Sequence, residues 1–234
     1  MSDEIYIIVS NRDWNLAMAD SLQQKVKKKF CLISKKEDLN LENLNEINPR
    51  YIFFPHWSYI IPKEIFLAFE CVVFHMTDLP YGRGGSPLQN LIINGHKETM
   101  MSALRCVQEL DAGPIYLKRE LSLQGSASEI FLRASDVIEH MILEIIKTEP
   151  RPSEQEGQPT FFKRRKPSES NLSSFEVNEI DDIFDFIRML DAEGYPKAYI
   201  DMHNFRLEFS RVHKESNKIV GTFELTKLQL TDTE

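Results

Sequence analysis

Residues 71–85 read CVVFHMTDLPYGRGG, and this stretch decides how the fold and the chemistry of the chain are interpreted. The four apolar residues at its start predict a buried strand, and His75 stands where that strand ends. A loop containing Pro80 and three glycines follows, and glycine allows a backbone to approach a ligand closely. Because open α/β sheets bind ligands at the carboxyl ends of their strands, the stretch predicts a functional loop.

The same alternation of apolar and amphipathic segments extends upstream of this strand. Short apolar runs predict strands, and the segments between them, with apolar residues at helical spacing, predict helices. The predicted strands cover residues 5–10, 30–34, 51–55 and 71–75, and the predicted helices cover residues 15–29, 36–47 and 62–70. Such alternation is typical of an α/β fold with a doubly wound, mostly parallel sheet.

Changes in composition divide the chain into three parts. Residues 1–148, which end with a long helix predicted over residues 128–147, form the expected main domain. Residues 149–160 contain three prolines and a glycine, which predicts an exposed linker. Residues 161–234 are expected to add a small C-terminal extension of one helix and a β-hairpin, through which two chains could pair as a homodimer.

The composition narrows the choice of partner and compartment. The formal net charge of −8 argues against a nucleic-acid partner, because phosphate binding requires clustered lysine and arginine. No apolar run approaches the ~20 residues that cross a bilayer, and the acidic start, MSDE, lacks the features of a signal peptide. Cys31, Cys71 and Cys106 lie far apart in apolar runs, so we expect reduced thiols in a cytoplasmic protein.

A histidine and an aspartate are the strongest candidates for chemistry. His75 could simply cap its strand, but a neutral imidazole also takes up protons readily near neutral pH. Asp111 lies 36 residues later in the segment LDAGP, where it could be an ordinary turn residue. The helix and strand between them would return Asp111 to the sheet edge that carries His75. The pair then matches a base and the carboxylate that orients it.

Other kinds of site find little support in the sequence. The glycine loop lacks both the Gly-Lys-Ser/Thr ending of a phosphate loop and the GxGxxG spacing of a dinucleotide site. HExxH and CxxC are absent, which argues against a metal. A serine nucleophile would need a GxSxG turn, which the chain also lacks.

Taken together, HMTDLPYGRGGSPLQNLIING at residues 75–95 and LDAGPIY at residues 110–116 resemble the folate-dependent formyltransferase family. The resemblance implies a Rossmann-like formyltransferase fold and an enzyme that takes a formyl group from 10-formyltetrahydrofolate without a metal. It also implies that His75 and Asp111 are catalytic. The residues that it assigns to the pterin of the folate are Leu79, Pro80, Tyr81, Gly82, Arg83, Gly84, Gly85, Leu110 and Asp111.

The C-terminal part refines the expected acceptor. FKRRKP at residues 162–167, IRMLD at residues 187–191 and GYP at residues 194–196 resemble the tail of sugar N-formyltransferases within that family. This implies that the acceptor is the amine of a nucleotide-linked amino sugar, with the UDP-linked 4-amino sugar precursor of pseudaminic acid as the closest match. The residues expected to bind this acceptor are Asn11, Arg12, Trp14, Asn15 and Arg164.

One position departs from the family pattern. Val73 stands where the family has an asparagine two residues before the histidine, and valine donates no hydrogen bond. Losing one donor to a developing oxyanion costs roughly 3 kcal/mol in other enzymes, so a replacement is expected. His56, at the end of the neighbouring predicted strand, is the first choice, ahead of Asn90 and Asn94. Two alternatives remain, a formyltetrahydrofolate hydrolase that uses water as acceptor, and an inactive folate- or nucleotide-binding module.

Overall fold

The computed structural model describes residues 4–228 of the 234-residue chain. The strands are Ile5–Val9 (β1), Lys29–Ile33 (β2), Tyr51–Phe54 (β3), Cys71–His75 (β4), Arg83–Gly84 (β5), Glu98–Arg105 (β6), Ile115–Ser122 (β7), Phe161–Phe162 (β8), Ala198–Met202 (β9), Phe205–Glu215 (β10) and Lys218–Lys227 (β11). The helices are Met18–Val26 (α1), Leu41–Ile47 (α2), Lys63–Ala68 (α3), Pro87–Ile93 (α4), Ala127–Thr148 (α5) and Ile180–Arg188 (α6).

The chain forms two compact units, which we call the sheet unit and the C-terminal unit. The sheet unit comprises residues 4–84, 99–121 and 132–161, and the C-terminal unit comprises residues 85–98, 122–131 and 162–228. Both units therefore draw on segments that are distant in sequence. Between residues 4 and 228, no helix combines the length and the apolar character needed to cross a membrane.

The sheet unit is built on a six-stranded sheet of order β2-β1-β3-β4-β6-β7. β1 pairs in parallel with β2 and β3, and β3 pairs in parallel with β4, whereas β4 and β6 are antiparallel. The cores of β1 and β3 are fully buried, with Ile7, Ile8, Ile52 and Phe53 all 0% exposed. Strands that are buried on both faces appear in sequence as continuous apolar runs. The predicted mostly parallel α/β fold is confirmed.

The register of β3 and β4 brings two histidines to corresponding positions. Phe54 lies opposite Val73, so both strands reach the same edge of the sheet. His75 is the last residue of β4, and His56 follows two residues after the end of β3. Both histidines are therefore two residues beyond the last matched pair, at the carboxyl edge of the parallel strands.

A helix predicted over residues 36–47 is divided in the structure. A short 3-10 turn occupies Lys36–Asp38, and α2 begins at Leu41. Asn40 explains the break, because its extended backbone cannot continue a helix and its side chain accepts a 3.0 Å hydrogen bond from the N–H of Asn43. A capping asparagine of this kind starts a new helix.

The C-terminal unit contains a three-stranded antiparallel sheet of order β11-β10-β9, with α6 in contact with β10. β9 is not among the strands predicted from the sequence, because it is short and follows directly after a proline-containing turn. Residues paired across the sheet, such as Ile200, Leu207 and Leu225, share one apolar face. On that face Phe223 and Leu225 are 60% and 56% exposed. Pairing of two chains through this hairpin stays a prediction.

Candidate active site

His75 and Asp111 meet within the sheet unit. Nδ1 of His75 lies 3.5 Å from Oδ2 of Asp111, and the two side chains are only 9% and 12% exposed. The same oxygen of Asp111 accepts a 2.9 Å hydrogen bond from the backbone N–H of Gly84. The two candidates identified from the sequence are therefore neighbours, and the glycine loop after β4 helps to join them.

Asp111 reaches His75 by a route that differs from the one predicted from the sequence. Because β6 runs antiparallel to β4, its last residue, Arg105, lies opposite Val72 near the start of β4 rather than beside His75. The expectation that matching strand ends bring the two loops together is therefore wrong, and the loop between β6 and β7 returns Asp111 to His75 instead. Gly113 permits this return, since a Cβ there would lie 1.8 Å from the carbonyl oxygen of Arg105.

The second ring nitrogen of His75 fixes the tautomer of the imidazole. Nε2 lies 2.8 Å from the carbonyl oxygen of Gly82. A carbonyl can only accept, so Nε2 carries the hydrogen. In the neutral ring Nδ1 then holds the lone pair and faces Asp111. Nδ1 is therefore the atom at which His75 can take up a proton.

Gln155 ties the two loops of the site together. Its amide nitrogen donates to the backbone carbonyl oxygens of Asp111 and Gly113, both at 2.8 Å. Its amide oxygen accepts from the guanidinium of Arg83 at 2.8 and 3.1 Å. Gln155 could not be identified from the sequence, because it lies in the predicted linker and no motif marks a residue whose partners are so distant in sequence.

Among the other residues assigned to the pterin, one is held by a backbone hydrogen bond, and two leucines differ in how far they are exposed. The backbone N–H of Gly82 donates to Oγ1 of Thr160 at 2.8 Å, so the segment after α5 also holds this loop. The side chain of Leu79 is buried, whereas Leu110 is 68% exposed. Backbone N–H groups of Gly82 and Gly84 therefore hold the glycine loop in place. The role of this loop in binding the folate stays a prediction.

A second polar cluster lies where β1 and β3 end. The buried amide of Asn15 donates to Oγ of Ser10 and to the carbonyl oxygen of Pro55, at 3.2 and 3.0 Å, and so joins the two strand ends. Arg12 donates from Nη2 to Oγ of Ser58 at 3.1 Å. Four of the five residues predicted to bind the acceptor, Asn11, Arg12, Trp14 and Asn15, are therefore near one another, whereas Arg164 belongs to the C-terminal unit.

His56 belongs to this cluster and is kept neutral by its surroundings. Burial lowers its pKa to about 3, and the positive charge of Arg12 adds to the effect. His56 packs edge to face against Trp14, with ring centroids 5.5 Å apart. His56 also has a φ of 59°, in the left-handed region that residues other than glycine seldom adopt. At neutral pH it therefore presents an uncharged imidazole with one N–H.

Oδ1 of Asn11, an acceptor, and Nε1 of Trp57, a donor, are buried polar atoms of the cluster for which the described part of the chain supplies no hydrogen-bond partner. Leaving such an atom unsatisfied costs about 1–3 kcal/mol. A bound molecule that offers both a donor and an acceptor would remove this cost. Between residues 4 and 228, no group of three or more potential ligand side chains could hold a metal ion.

Two family models match the chain. The model described as formyl transferase matches residues 8–137, which is more than half of the sequence. The model described as the C-terminal domain of methionyl-tRNA formyltransferase matches residues 167–226.

Individual relatives agree with these models. The solved structure of methionyl-tRNA formyltransferase from Clostridium thermocellum is 48% identical, with a TM-score of 0.92, and the match covers 96% of this chain and 99% of that chain. The methionyl-tRNA formyltransferase of Clostridium beijerinckii is 30% identical over 203 residues, which is 81% of this chain and 64% of that protein. The chain thus spans less than two thirds of the length of that relative.

Two more distant structures share the fold alone. A sugar N-formyltransferase from a Shewanella species is 14% identical, with a TM-score of 0.67 and coverage of 98% and 99% of the two chains. HypX from Aquifex aeolicus in complex with tetrahydrofolic acid is 15% identical, with a TM-score of 0.73 and coverage of 92% of this chain and 38% of that chain.

The acceptor and the partner predicted from the sequence are wrong. The chain is 48% identical to a methionyl-tRNA formyltransferase and 14% identical to a sugar N-formyltransferase, which overturns the nucleotide-linked amino sugar, the UDP group and the pseudaminic acid precursor. The short tail motifs were too few to separate these classes. The exclusion of nucleic acid also fails, because a net charge sums over the whole chain and says nothing about local clusters of lysine and arginine.

The family models and the fold agree on the family to which the chain belongs. The family uses 10-formyltetrahydrofolate as its formyl donor. The chain therefore belongs to the formyltransferase family as a folate-dependent enzyme, and within that family it is similar to methionyl-tRNA formyltransferases.

Proposed function

We propose that this chain transfers the formyl group of 10-formyltetrahydrofolate to the amino group of methionyl-tRNA. The contact between His75 and Asp111 carries the proposal, because it supplies a proton acceptor beside a carboxylate. The identity of 48% to a methionyl-tRNA formyltransferase supports the choice of acceptor. Since methionyl-tRNA is made and used by the translation apparatus, the proposal places the enzyme in the cytoplasm.

In this proposal His75 takes the proton that the amine loses as it attacks the formyl carbon. The bond between the formyl carbon and N10 of the folate then breaks, and the proton passes from His75 to N10, which leaves as tetrahydrofolate. The hydrogen bond from Nε2 to Gly82 orients the ring and leaves the lone pair on Nδ1. Asp111, 3.5 Å from Nδ1, stabilises the imidazolium that forms, because opposite charges at this distance attract strongly in a largely buried site. The N–H of Gly84 holds the carboxylate in place during this step.

His56 is proposed to donate a hydrogen bond to the formyl oxygen as negative charge develops on it. Val73 on β4 cannot do so, and the register of β3 and β4 places His56 at the level of His75. A neutral imidazole keeps the single N–H that such a donor needs. A donor of this kind is worth roughly 3 kcal/mol in the transition state.

The cluster at the ends of β1 and β3 is proposed to bind the end of the acceptor. Arg12 supplies a positive charge that suits a phosphate. Oδ1 of Asn11 and Nε1 of Trp57 are a buried acceptor and a buried donor that suit the hydroxyl and amino groups of a nucleoside.

The test is an assay of the purified chain with 10-formyltetrahydrofolate and methionyl-tRNA, in which formylmethionyl-tRNA is measured directly. Free methionine and an amino sugar linked to UDP serve as alternative acceptors. We expect formylmethionyl-tRNA to form much faster than either alternative product, and His75→Ala to abolish most of this rate. Absence of formylmethionyl-tRNA above the level in buffer would overturn the proposal.

A further inference from the structure

A small cavity lies within the C-terminal unit, and none of its lining residues is assigned above to the folate or to the acceptor. Its volume is about 220 Å³. The lining residues, all of which belong to the C-terminal unit, are Lys97, Leu123, Gln124, Gly125, Asp181, Phe184, Asp185, Arg188 and Lys214.

One face of α6 forms a side of this cavity. Asp181, Phe184, Asp185 and Arg188 are spaced at i, i+3, i+4 and i+7, which places their side chains on the same face of a helix. The other lining residues come from the end of the segment before β6, from the connection between β7 and α5, and from β10. The cavity therefore exists only when segments distant in sequence are brought together by folding.

A buried guanidinium presents an unused donor group there. Arg188 is only 4% exposed. Its Nη1 donates to the carbonyl oxygens of Leu123 and Gly125 at 2.6 and 2.7 Å, and its Nε donates to Oδ1 of Asp185 at 2.6 Å. No residue between positions 4 and 228 accepts a hydrogen bond from Nη2. Since arginine only donates, a group that binds to Nη2 must carry an acceptor.

The charges of the lining favour an acceptor with a single negative charge. Lys97 lies 3.4 Å from Oδ2 of Asp185, and Lys214 forms an ion pair with Asp181. Three cationic and two anionic side chains line the cavity, which leaves one positive charge. A singly charged anion balances this charge, whereas an ion with more negative charge is repelled by the two carboxylates.

The size and the apolar side chains of the cavity limit the rest of the ligand. Phe184 and Leu123 provide apolar surface, and the ring centroid of Phe184 lies 5.7 Å from Cζ of Arg188. An apolar cavity of about 150 Å³ already admits benzene, and pockets for drug-sized ligands begin at about 300 Å³. The volume therefore suits a molecule with about one ring.

We propose that this cavity binds a small carboxylate with an apolar or aromatic group, a site that goes beyond the proposed function. One carboxylate oxygen accepts from Nη2 of Arg188, and such a charge-assisted bond is about twice as strong as a neutral one. The apolar group lies against Phe184. Lys97 and Lys214, both exposed, attract the anion to the mouth of the cavity.

The test uses benzoate as the probe and measures its binding to the full chain by isothermal titration calorimetry. Benzamide has nearly the same shape without the charge, and inorganic phosphate has more charge without the ring. At constant ionic strength we expect one benzoate to bind per chain, at least about 10-fold more tightly than either benzamide or phosphate. Equal affinities for benzoate and benzamide would overturn the inference, as would phosphate binding as tightly as benzoate.

Variants of exposed lysines locate the site without disturbing the buried arginine, whose replacement also removes the hydrogen bonds to two carbonyl oxygens. Lys97→Gln with Lys214→Gln removes both lysines of the cavity. The matched control, Lys197→Gln with Lys218→Gln, removes two lysines of the same unit that also form ion pairs but lie outside the cavity lining.

We expect the cavity variant to bind benzoate at least about 10-fold more weakly than the wild type, with benzamide unaffected, and the control to bind both probes like the wild type. An unchanged affinity for benzoate in the cavity variant would show that the anion binds elsewhere and would overturn the inference, as would equal losses in the two variants.

Discussion

The backbone N–H of Gly84 donates to Oδ2 of Asp111 at 2.9 Å, so the glycine loop itself aims this carboxylate at His75. The hydrogen bond joins two loops that are distant in sequence. It also makes the position of Asp111 depend on the backbone of the loop rather than on a side chain. Asp111 can therefore be changed chemically while the geometry of the loop is preserved.

Replacing Asp111 with asparagine should separate charge from shape. The new amide side chain would keep an oxygen that accepts from Gly84, but it would lack the negative charge that stabilises protonated His75. We expect kcat to fall by about 10²–10⁴-fold with little change in thermal stability. Asp136→Asn, an exposed position on α5, is the matched control and should keep the wild-type rate. Equal kcat values for the two variants would show that the charge of Asp111 has no part in the reaction.

Gln155→Ala should loosen both loops of the site at once. The substitution leaves the carbonyl oxygens of Asp111 and Gly113 and the guanidinium of Arg83 without this partner. We expect the free energy of unfolding to fall by about 1–2 kcal/mol and the rate of formyl transfer to fall with it. Gln158→Ala, at an exposed position three residues later, should change neither quantity. Chemical denaturation and a steady-state assay on both variants measure the difference.

The lowered pKa of His56 predicts a dependence of stability on pH. The unfolded chain protonates this histidine near its ordinary pKa of 6.5, whereas the folded chain does so only near 3. Between these values the unfolded state binds more protons, so the contribution of His56 makes the protein less stable as pH falls. The slope is at most about 1.4 kcal/mol per pH unit. Urea denaturation should show a shallower slope for His56→Gln over pH 4 to 6, and an unchanged slope would contradict the assignment.

Two glycines allow steric and backbone effects to be distinguished. Gly113→Ala places a Cβ 1.8 Å from the carbonyl oxygen of Arg105, so β6 or the loop with Asp111 must move. We expect a loss of about 1–3 kcal/mol in stability and a large loss of activity. Gly95→Ala has no atom within 4 Å of its Cβ, and only its φ of +79° opposes the change. It should cost about 1 kcal/mol and leave activity intact, and similar activity losses in both variants would refute this account.

The first four strands of the sheet unit, and the importance of the segments with His75 and Asp111, could be predicted because their signals are local. β4 is a buried apolar run with His75 at its end, and Asp111 lies in a compact turn motif. Gln155 could not be predicted, because its role depends on loops that meet only after folding. The choice of acceptor failed for a related reason, since a net charge of −8 sums over the whole chain and does not describe the charge of any one surface. Val73 in the sequence indicates that the family's asparagine donor is missing. That His56 lies at the level of His75 follows only from the register of β3 and β4.

The most direct test of the central claim is the single-turnover rate of formyl transfer to methionyl-tRNA by His75→Gln. Glutamine can still donate to the carbonyl oxygen of Gly82 but cannot accept a proton near neutral pH. The account predicts that the rate falls by at least about 100-fold while binding of tRNA is retained. A rate equal to that of the wild type would contradict it.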